Sequence, residues 1–141
     1  MWKPLLRTIG ALNAFVYRVS GGRWMGRFPG GAPVCLLTTK GRRSGRVRTV
    51  PLLFLADGDD LVIVASQGGA PQDPGWYFNL VANAEAEVQI EHRRFAVTAR
   101  TVGAEEKAAL WPRLVAIYPP YAVYQRRTAR PIPVVRLHPI A

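Results

Sequence analysis

The stretch VCLLTTKGRRSGRVRTVPLLFLADGDDLVIVAS, residues 34–66, decides the fold. Val34–Thr39 is an apolar run ending in threonines, and Thr49–Ala56 and Asp60–Ser66 flank the turn Asp57-Gly58-Asp59. Short apolar runs joined by a glycine-bearing turn predict antiparallel strands, the last two as a hairpin. Downstream, Ala86–Glu91 and Phe95–Val102 alternate on either side of His92-Arg93-Arg94 and predict a second hairpin. Ile132–Leu137 makes a last strand. Hairpin-linked strands with only a few short helices argue for a mostly β, small antiparallel barrel rather than a parallel α/β sheet.

The helices are placed by period and by punctuation. Residues 3–20 carry Leu5, Ile9, Leu12, Val16 and Val19 at helical spacing and end at Gly21-Gly22, which predicts an N-terminal amphipathic helix. Its longest uncharged run, Thr8–Tyr17, is about half a membrane span. Asn13 and Arg18 interrupt it too soon for a signal peptide. Asp73-Pro74 looks like a cap and a first-turn proline opening a short helix to about Val81. Glu105-Glu106 precede the stripe Leu110, Trp111, Leu114, Val115, Ile117 and Tyr118, a longer helix that Pro119-Pro120 break. A short turn or helix then holds Tyr121 and Tyr124. The organisation expected is residues 1–30 as helix and connector, and 31–141 as the barrel.

A chain of 141 residues, nearly half of it apolar, suffices for one core with a pocket. The single cysteine, Cys35, rules out an internal disulfide and makes thiolate metal binding implausible. The net charge of +10 is less informative than its placement. Residues 1–50 hold ten basic side chains and no acidic one, whereas the remainder is balanced. Such asymmetry points to an anionic partner for the first third: a phosphate ligand, a lipid headgroup or a nucleic acid.

Lys40-Gly41-Arg42-Arg43-Ser44-Gly45-Arg46-Val47-Arg48 concentrates that charge, with five cations in nine residues. Glycines let the backbone approach a ligand, and Ser44 and Thr39 can donate hydroxyl bonds. It is not a Walker loop, since the spacing is wrong and a strand follows. A solvated basic hairpin remains the alternative. Other machinery is sparse. His92 and His138 stand alone, Ser44 and Ser66 have no local base, and Asp57, Asp59 and Asp60 read as turn residues. An enzyme so equipped needs a cofactor to carry its chemistry. Tyr118, Tyr121 and Tyr124, with Gln125 beside them, and Trp76-Tyr77-Phe78 could wall a planar ring, or simply be core.

Four segments together, LLTTKGRRSGRVRTVPL, ASQGGAPQDPGWYFNL, LWPRLVAIYPPYAVYQ and RTARPIPVV, resemble the deazaflavin-dependent nitroreductase and quinone reductase family of actinobacteria. The resemblance runs from about Leu36 to Leu137. It implies a split β-barrel that binds coenzyme F-420 and no metal, and passes hydride to a lipophilic acceptor such as a quinone, a nitroaromatic or an activated alkene. By resemblance the phosphate-bearing tail meets Lys40, Arg42, Arg43, Ser44 and Arg48. The deazaflavin ring lies along Pro51, Leu52, Leu53, Ala65, Ser66, Gln67, Gly68, Trp76 and Asn79. The acceptor stacks near Ser66, Tyr118, Tyr121 and Tyr124, the expected catalytic set. Gln67 departs from relatives that carry an aromatic residue there. Location is expected to be cytoplasmic, with the N-terminal helix either meeting the inner face of an anionic membrane or packing its apolar stripe on the barrel. Two other functions fit the same residues: a deazaflavin carrier or sensor without turnover, and an FMN enzyme on the same barrel. Nucleic acid is disfavoured because the aromatics lie in the second half and the cations in the first.

Overall fold

A computed structural model describes residues 33–140. The expected N-terminal helix, the connector and the boundary at residue 30 lie outside the described residues. Seven strands follow: β1 Val34–Lys40, β2 Val47–Leu53, β3 Leu55–Asp57, β4 Asp60–Val64, β5 Glu85–Ile90, β6 Arg93–Thr101 and β7 Val134–Pro139. A 3-10 turn spans Gln67–Gly69, and three helices are α1 Gly75–Ala82, α2 Ala104–Ile117 and α3 Pro120–Arg127.

The strands form one sheet in the order β2-β1-β5-β6-β7-β4-β3, every pairing antiparallel. Its two edges, β2 and β3, are consecutive in the chain and separated by one residue, Phe54. A sheet whose edges are joined by one residue has to curl round on itself, so the mostly β half-barrel of the split-barrel class is present. Thr49–Ala56, expected as one strand, is two. Phe54 breaks the ladder and donates its N–H to the Pro33 carbonyl at 3.1 Å, and the chain passes from one edge to the other.

Alternation explains which runs read as continuously apolar. On β1, Val34 and Leu36 face one cluster while Cys35 and Leu37 face the other; on β4, Val62 and Val64 oppose Leu61 and Ile63. Both strands are buried on both sides, as their unbroken hydrophobicity required. One cluster gathers Leu37, Ile63, Val88, Val97 and Leu137 with Trp76 and Leu80 of α1. The other sets Leu36, Leu53, Val62 and Val134 against Leu110 and Leu114 of α2 and Tyr121 of α3. Burial drives the Cys35 thiol up to about 12, so it stays protonated and inert.

Two local expectations are corrected. The first helix opens at Gly75, flanked by Pro74 without a side-chain cap; Asp73 instead accepts an ion pair from Arg130 at 2.6 Å. An ion pair with a sheltered guanidinium outcompetes a cap bond to a single backbone N–H. The second hairpin turns on Glu91-His92, with Glu91 at φ +55°, so Arg93 and Arg94 belong to β6 rather than to the loop.

Candidate active site

The basic connection between β1 and β2 is a folded hairpin end. Gly41 N–H donates to the Arg46 carbonyl at 2.7 Å, and Gly45 N–H to the Gly41 carbonyl at 2.9 Å. A Cβ on Gly41 would come within 2.9 Å of that Arg46 oxygen, so only glycine closes the turn this tightly. The Ser44 hydroxyl oxygen accepts from Arg46 N–H at 3.2 Å, which leaves its O–H able to donate.

Asn79 ties this loop to α1. Its Oδ1 accepts from the Arg42 backbone N–H at 3.1 Å and from Arg42 Nη1 at 3.2 Å, while Nδ2 donates to Thr39 Oγ1 at 3.1 Å. The Arg42 guanidinium also lies 5.1 Å over the Phe78 ring. Asn79, expected beside the coenzyme ring, is therefore committed to orienting the loop. Lys40, Arg43, Arg46 and Arg48 are exposed. None of them, nor Arg42, belongs to any ion pair among the described residues. Cations crowded this way without carboxylates suit an anionic ligand.

The residues expected along the ring divide by burial. Pro51 and Leu52 are half-buried on β2, whereas Leu53 sits in the core cluster with the α3 tyrosines. Trp76 is buried in the other cluster. Ala65 and Ser66 are buried, Gln67 is half-buried and Gly68 is exposed. Three successive left-handed residues shape the last part: Gln67 at φ +44°, Gly68 at +64° and Gly69 at +79°. A left-handed glutamine is unusual, and such residues persist where surrounding bonds over-determine them.

Backbone bonds from Gly69 N–H to the Ser66 carbonyl and from Ala70 N–H to the Gln67 carbonyl close the turn, and Arg130, which the sequence reading passed over within RTARPIPVV, grips the carbonyls on either side of it. Its Nε donates to the Ala70 carbonyl at 2.8 Å, Nη2 to the Ser66 carbonyl at 2.9 Å, and Nη1 to Asp73 and, at 3.4 Å, to the Ala65 carbonyl. Lys107 was missed as well. It donates to Gln125 Oε1 at 3.0 Å and to the Ile132 carbonyl at 2.7 Å. Burial, helped by the Arg130 charge, lowers its proton affinity. An arginine before Pro-Ile-Pro and a lysine one turn into a helix carry no periodic signal, so only the structure exposes them.

The three tyrosines cluster. Tyr118 and Tyr121 pack edge to face with centroids 4.9 Å apart, and the Tyr118 and Tyr124 hydroxyls are 3.1 Å apart. The bond to Tyr124, then burial, pushes the Tyr118 phenol up to about 12. Burial raises Tyr121 further. Tyr121 is only 5% exposed and is chiefly core, whereas Tyr118 and Tyr124 are half-buried. An open groove of about 490 Å³ lies elsewhere, lined by residues including Phe54, Ile90 and His138, and contains none of the expected site residues.

Against known proteins, the sequence model of the F420H(2)-dependent quinone reductase family matches residues 9–139. The chain belongs to this family. An F420H(2)-dependent quinone reductase of Mycobacterium tuberculosis is 43% identical over 129 residues, 89% of this chain and 87% of that protein. A second protein of that organism, named for the same activity, is 38% identical over 107 residues, 76% of this chain and 90% of its own. The solved structure of an F420-H2 dependent reductase superposes with a TM-score of 0.70 at 42% identity, covering 75% of this chain and 94% of that one. The family expected from the four motifs is the family found. As an F420H(2)-dependent quinone reductase family member, the protein is an oxidoreductase whose cofactor is coenzyme F-420.

Proposed function

We propose that the protein reduces a quinone with hydride from reduced coenzyme F-420, the tail held by the β1–β2 loop and the acceptor by Tyr118, Tyr121 and Tyr124. The observation that carries this reading is the cluster of cations at Lys40, Arg42, Arg43, Arg46 and Arg48, without an ion pair among the described residues, on a glycine-closed loop braced by Asn79. The tail of F-420 carries a phosphate and carboxylates, which such a cluster fits. Each charge-assisted bond adds roughly 1.5–3 kcal/mol.

When bound, the reduced deazaflavin supplies a hydride; reduction of a quinone to the quinol then requires one proton. Pro51, Leu52 and the Ala65–Gly68 segment form the platform for the planar ring, with Trp76 packed beneath Leu80 and its neighbours as support. Ser66 is the hydroxyl nearest that platform in sequence and is offered as a hydrogen-bond donor there. Tyr118 and Tyr124 share a hydrogen bond, and this reading offers the pair as hydrogen-bond donors to an acceptor oxygen. The raised proton affinity of Tyr118 keeps it protonated throughout the physiological range. Tyr121 backs both rings from the core.

A quinone with a long prenyl tail stays in the bilayer, and the enzyme has to go to it. Residues 1–28 offer the means: leucine- and valine-rich, with Lys3, Arg7, Arg18, Arg23 and Arg27, and with Trp2 and Trp24 near the ends. A segment of that composition suits the surface of an anionic membrane, each basic group adding about 1 kcal/mol. Among the described residues no helix is long and apolar enough to cross a membrane. Nitroaromatics and activated alkenes are secondary acceptors in this reading.

Titration with oxidised F-420 beside FMN and NADPH tests the coenzyme, and mixing reduced F-420 with a quinone tests the reaction. Preference for F-420 with oxidation on adding quinone is the expected result. Binding without oxidation would make the protein a carrier, and preference for FMN would make the cofactor assignment wrong.

A further inference from the structure

Arg130 joins two parts of the molecule that lie far apart in sequence. Its backbone belongs to the end of α3: its N–H donates to Thr128 Oγ1 at 3.3 Å, and its carbonyl accepts from Gln125 Nε2 at 3.0 Å. Gln125 is fixed in turn by Lys107 and by the Ile132 N–H. The guanidinium, 14% exposed, reaches back some sixty residues to the carbonyls of Ala65, Ser66 and Ala70 and to the Asp73 carboxylate. The segment it grips contains the three left-handed residues and makes little regular structure of its own. On its other side that segment abuts α3, where Gly69 meets the Tyr124 backbone.

We propose that Arg130 is a positioning residue, a latch that holds the Ala65–Asp73 segment in register with Tyr118, at the end of α2, and Tyr124 of α3. This deepens the proposed function and rests on it, because that segment is the coenzyme side of the site and Tyr118 and Tyr124 the acceptor side. The latch needs arginine. Four acceptors lie around one planar fork, and an ammonium with three donors on a flexible stem cannot reproduce that array. Asp73 neutralises the sheltered charge, and the three carbonyls set its orientation. Loss of the fork leaves the strained Gln67 turn held only by its own backbone bonds and by Gly69 against Tyr124.

The test uses the full chain with Arg130→Lys and Arg130→Ala, and two independent readouts. Hydrogen exchange over residues 65–73 should rise at least about tenfold in both variants while the peptides of β1 and β5 keep wild-type protection. Turnover of reduced F-420 with a water-soluble quinone should fall about tenfold or more, as expected for sub-ångström misplacement. Coenzyme affinity should stay within about threefold of wild type, and added guanidinium should recover part of the turnover of Arg130→Ala. Unchanged exchange over 65–73 overturns the latch. So does a rise spread evenly over the sheet, which would make Arg130 a general stabiliser, and so does full turnover despite a loosened segment. If the wild-type protein itself fails to oxidise reduced F-420, the functional reading falls, and the exchange measurement still decides whether Arg130 orders the segment.

Discussion

Gly69 lies directly against the backbone of Tyr124: a Cβ at Gly69 would stand 2.8 Å from the Tyr124 carbonyl oxygen and 3.1 Å from its Cα. Because Gly69 also has φ +79°, any side chain there meets both a clash and a disfavoured backbone. Gly69→Ala is expected to destabilise the fold by about 1–3 kcal/mol. It should also lower acceptor turnover more than coenzyme affinity, because α3 must give way. Calorimetry and steady-state kinetics check this; an unchanged melting temperature would show that α3 yields freely.

The loop offers a sharper test, because two kinds of residue act on it. Arg42→Ala with Arg48→Ala should weaken coenzyme binding by roughly 1–3 kcal/mol per residue, and raised salt should weaken it too. Asn79→Ala removes no charge, yet it should weaken binding in the same direction by releasing Arg42. It should also destabilise the protein by about 1–2 kcal/mol, since it strips Thr39 of its buried partner. A fluorescence titration of each variant suffices. Wild-type affinity in the double arginine variant would remove the loop from the coenzyme site.

Tyr118→Phe and Tyr124→Phe are expected to slow acceptor turnover while leaving coenzyme binding nearly intact. Tyr121→Phe should act mainly through packing. Single-turnover oxidation of reduced F-420 separates the two effects. Loss of coenzyme affinity with normal turnover at saturation would place the tyrosines on the other ligand.

Alkaline titration probes the same cluster without a ligand. The folded-state proton affinities of Tyr118 and Tyr121 exceed the ordinary phenol value near 10. The unfolded chain therefore loses those protons first, and the stability they contribute, intact below about pH 10, drains away as pH rises toward 12. Phenolate absorbance should develop in at least two steps, the later one coinciding with unfolding. A single step near pH 10 for all five tyrosines would contradict the packing described.

At the acid end the surface charges decide. Asp57 is held below the usual carboxylate range by Arg113 and then Arg136, Asp60 by His138 and Arg136, and Glu106 by Arg100 and Arg136. Depressed carboxylates add stability above their unfolded values, and it is lost as pH falls through the folded ones, here below about pH 4. Arg136→Gln, which removes the partner common to all three, should flatten the dependence of melting temperature on pH between 2 and 5. An unaltered slope would assign the acid sensitivity elsewhere.

Strand positions were legible because burial on both faces leaves an unbroken apolar run, as at Val34–Leu37 and Leu61–Val64. The basic loop was legible because charge without countercharge is visible in one dimension. The break at Phe54 was not, since strands that exchange edges keep the same alternation. Asp73 looked like a cap because sequence shows the neighbour at Pro74 but not the arginine arriving from position 130. The coenzyme and acceptor assignments came from family motifs and not from periodicity. Arg130 and Lys107 act through contacts with residues distant in the chain, which no local pattern announces.

The same topology bears on how the protein is made. Among the described strands, β4 pairs outside its own hairpin only with β7, Leu61 opposite Leu137, and β1 waits for β5. At roughly 5–20 residues per second of synthesis, the apolar β4 strand spends several seconds without the strand that covers it. The first half of the barrel must therefore leave the ribosome with a sticky edge exposed, and its yield in the cell depends on whatever shields that edge until the last strand arrives.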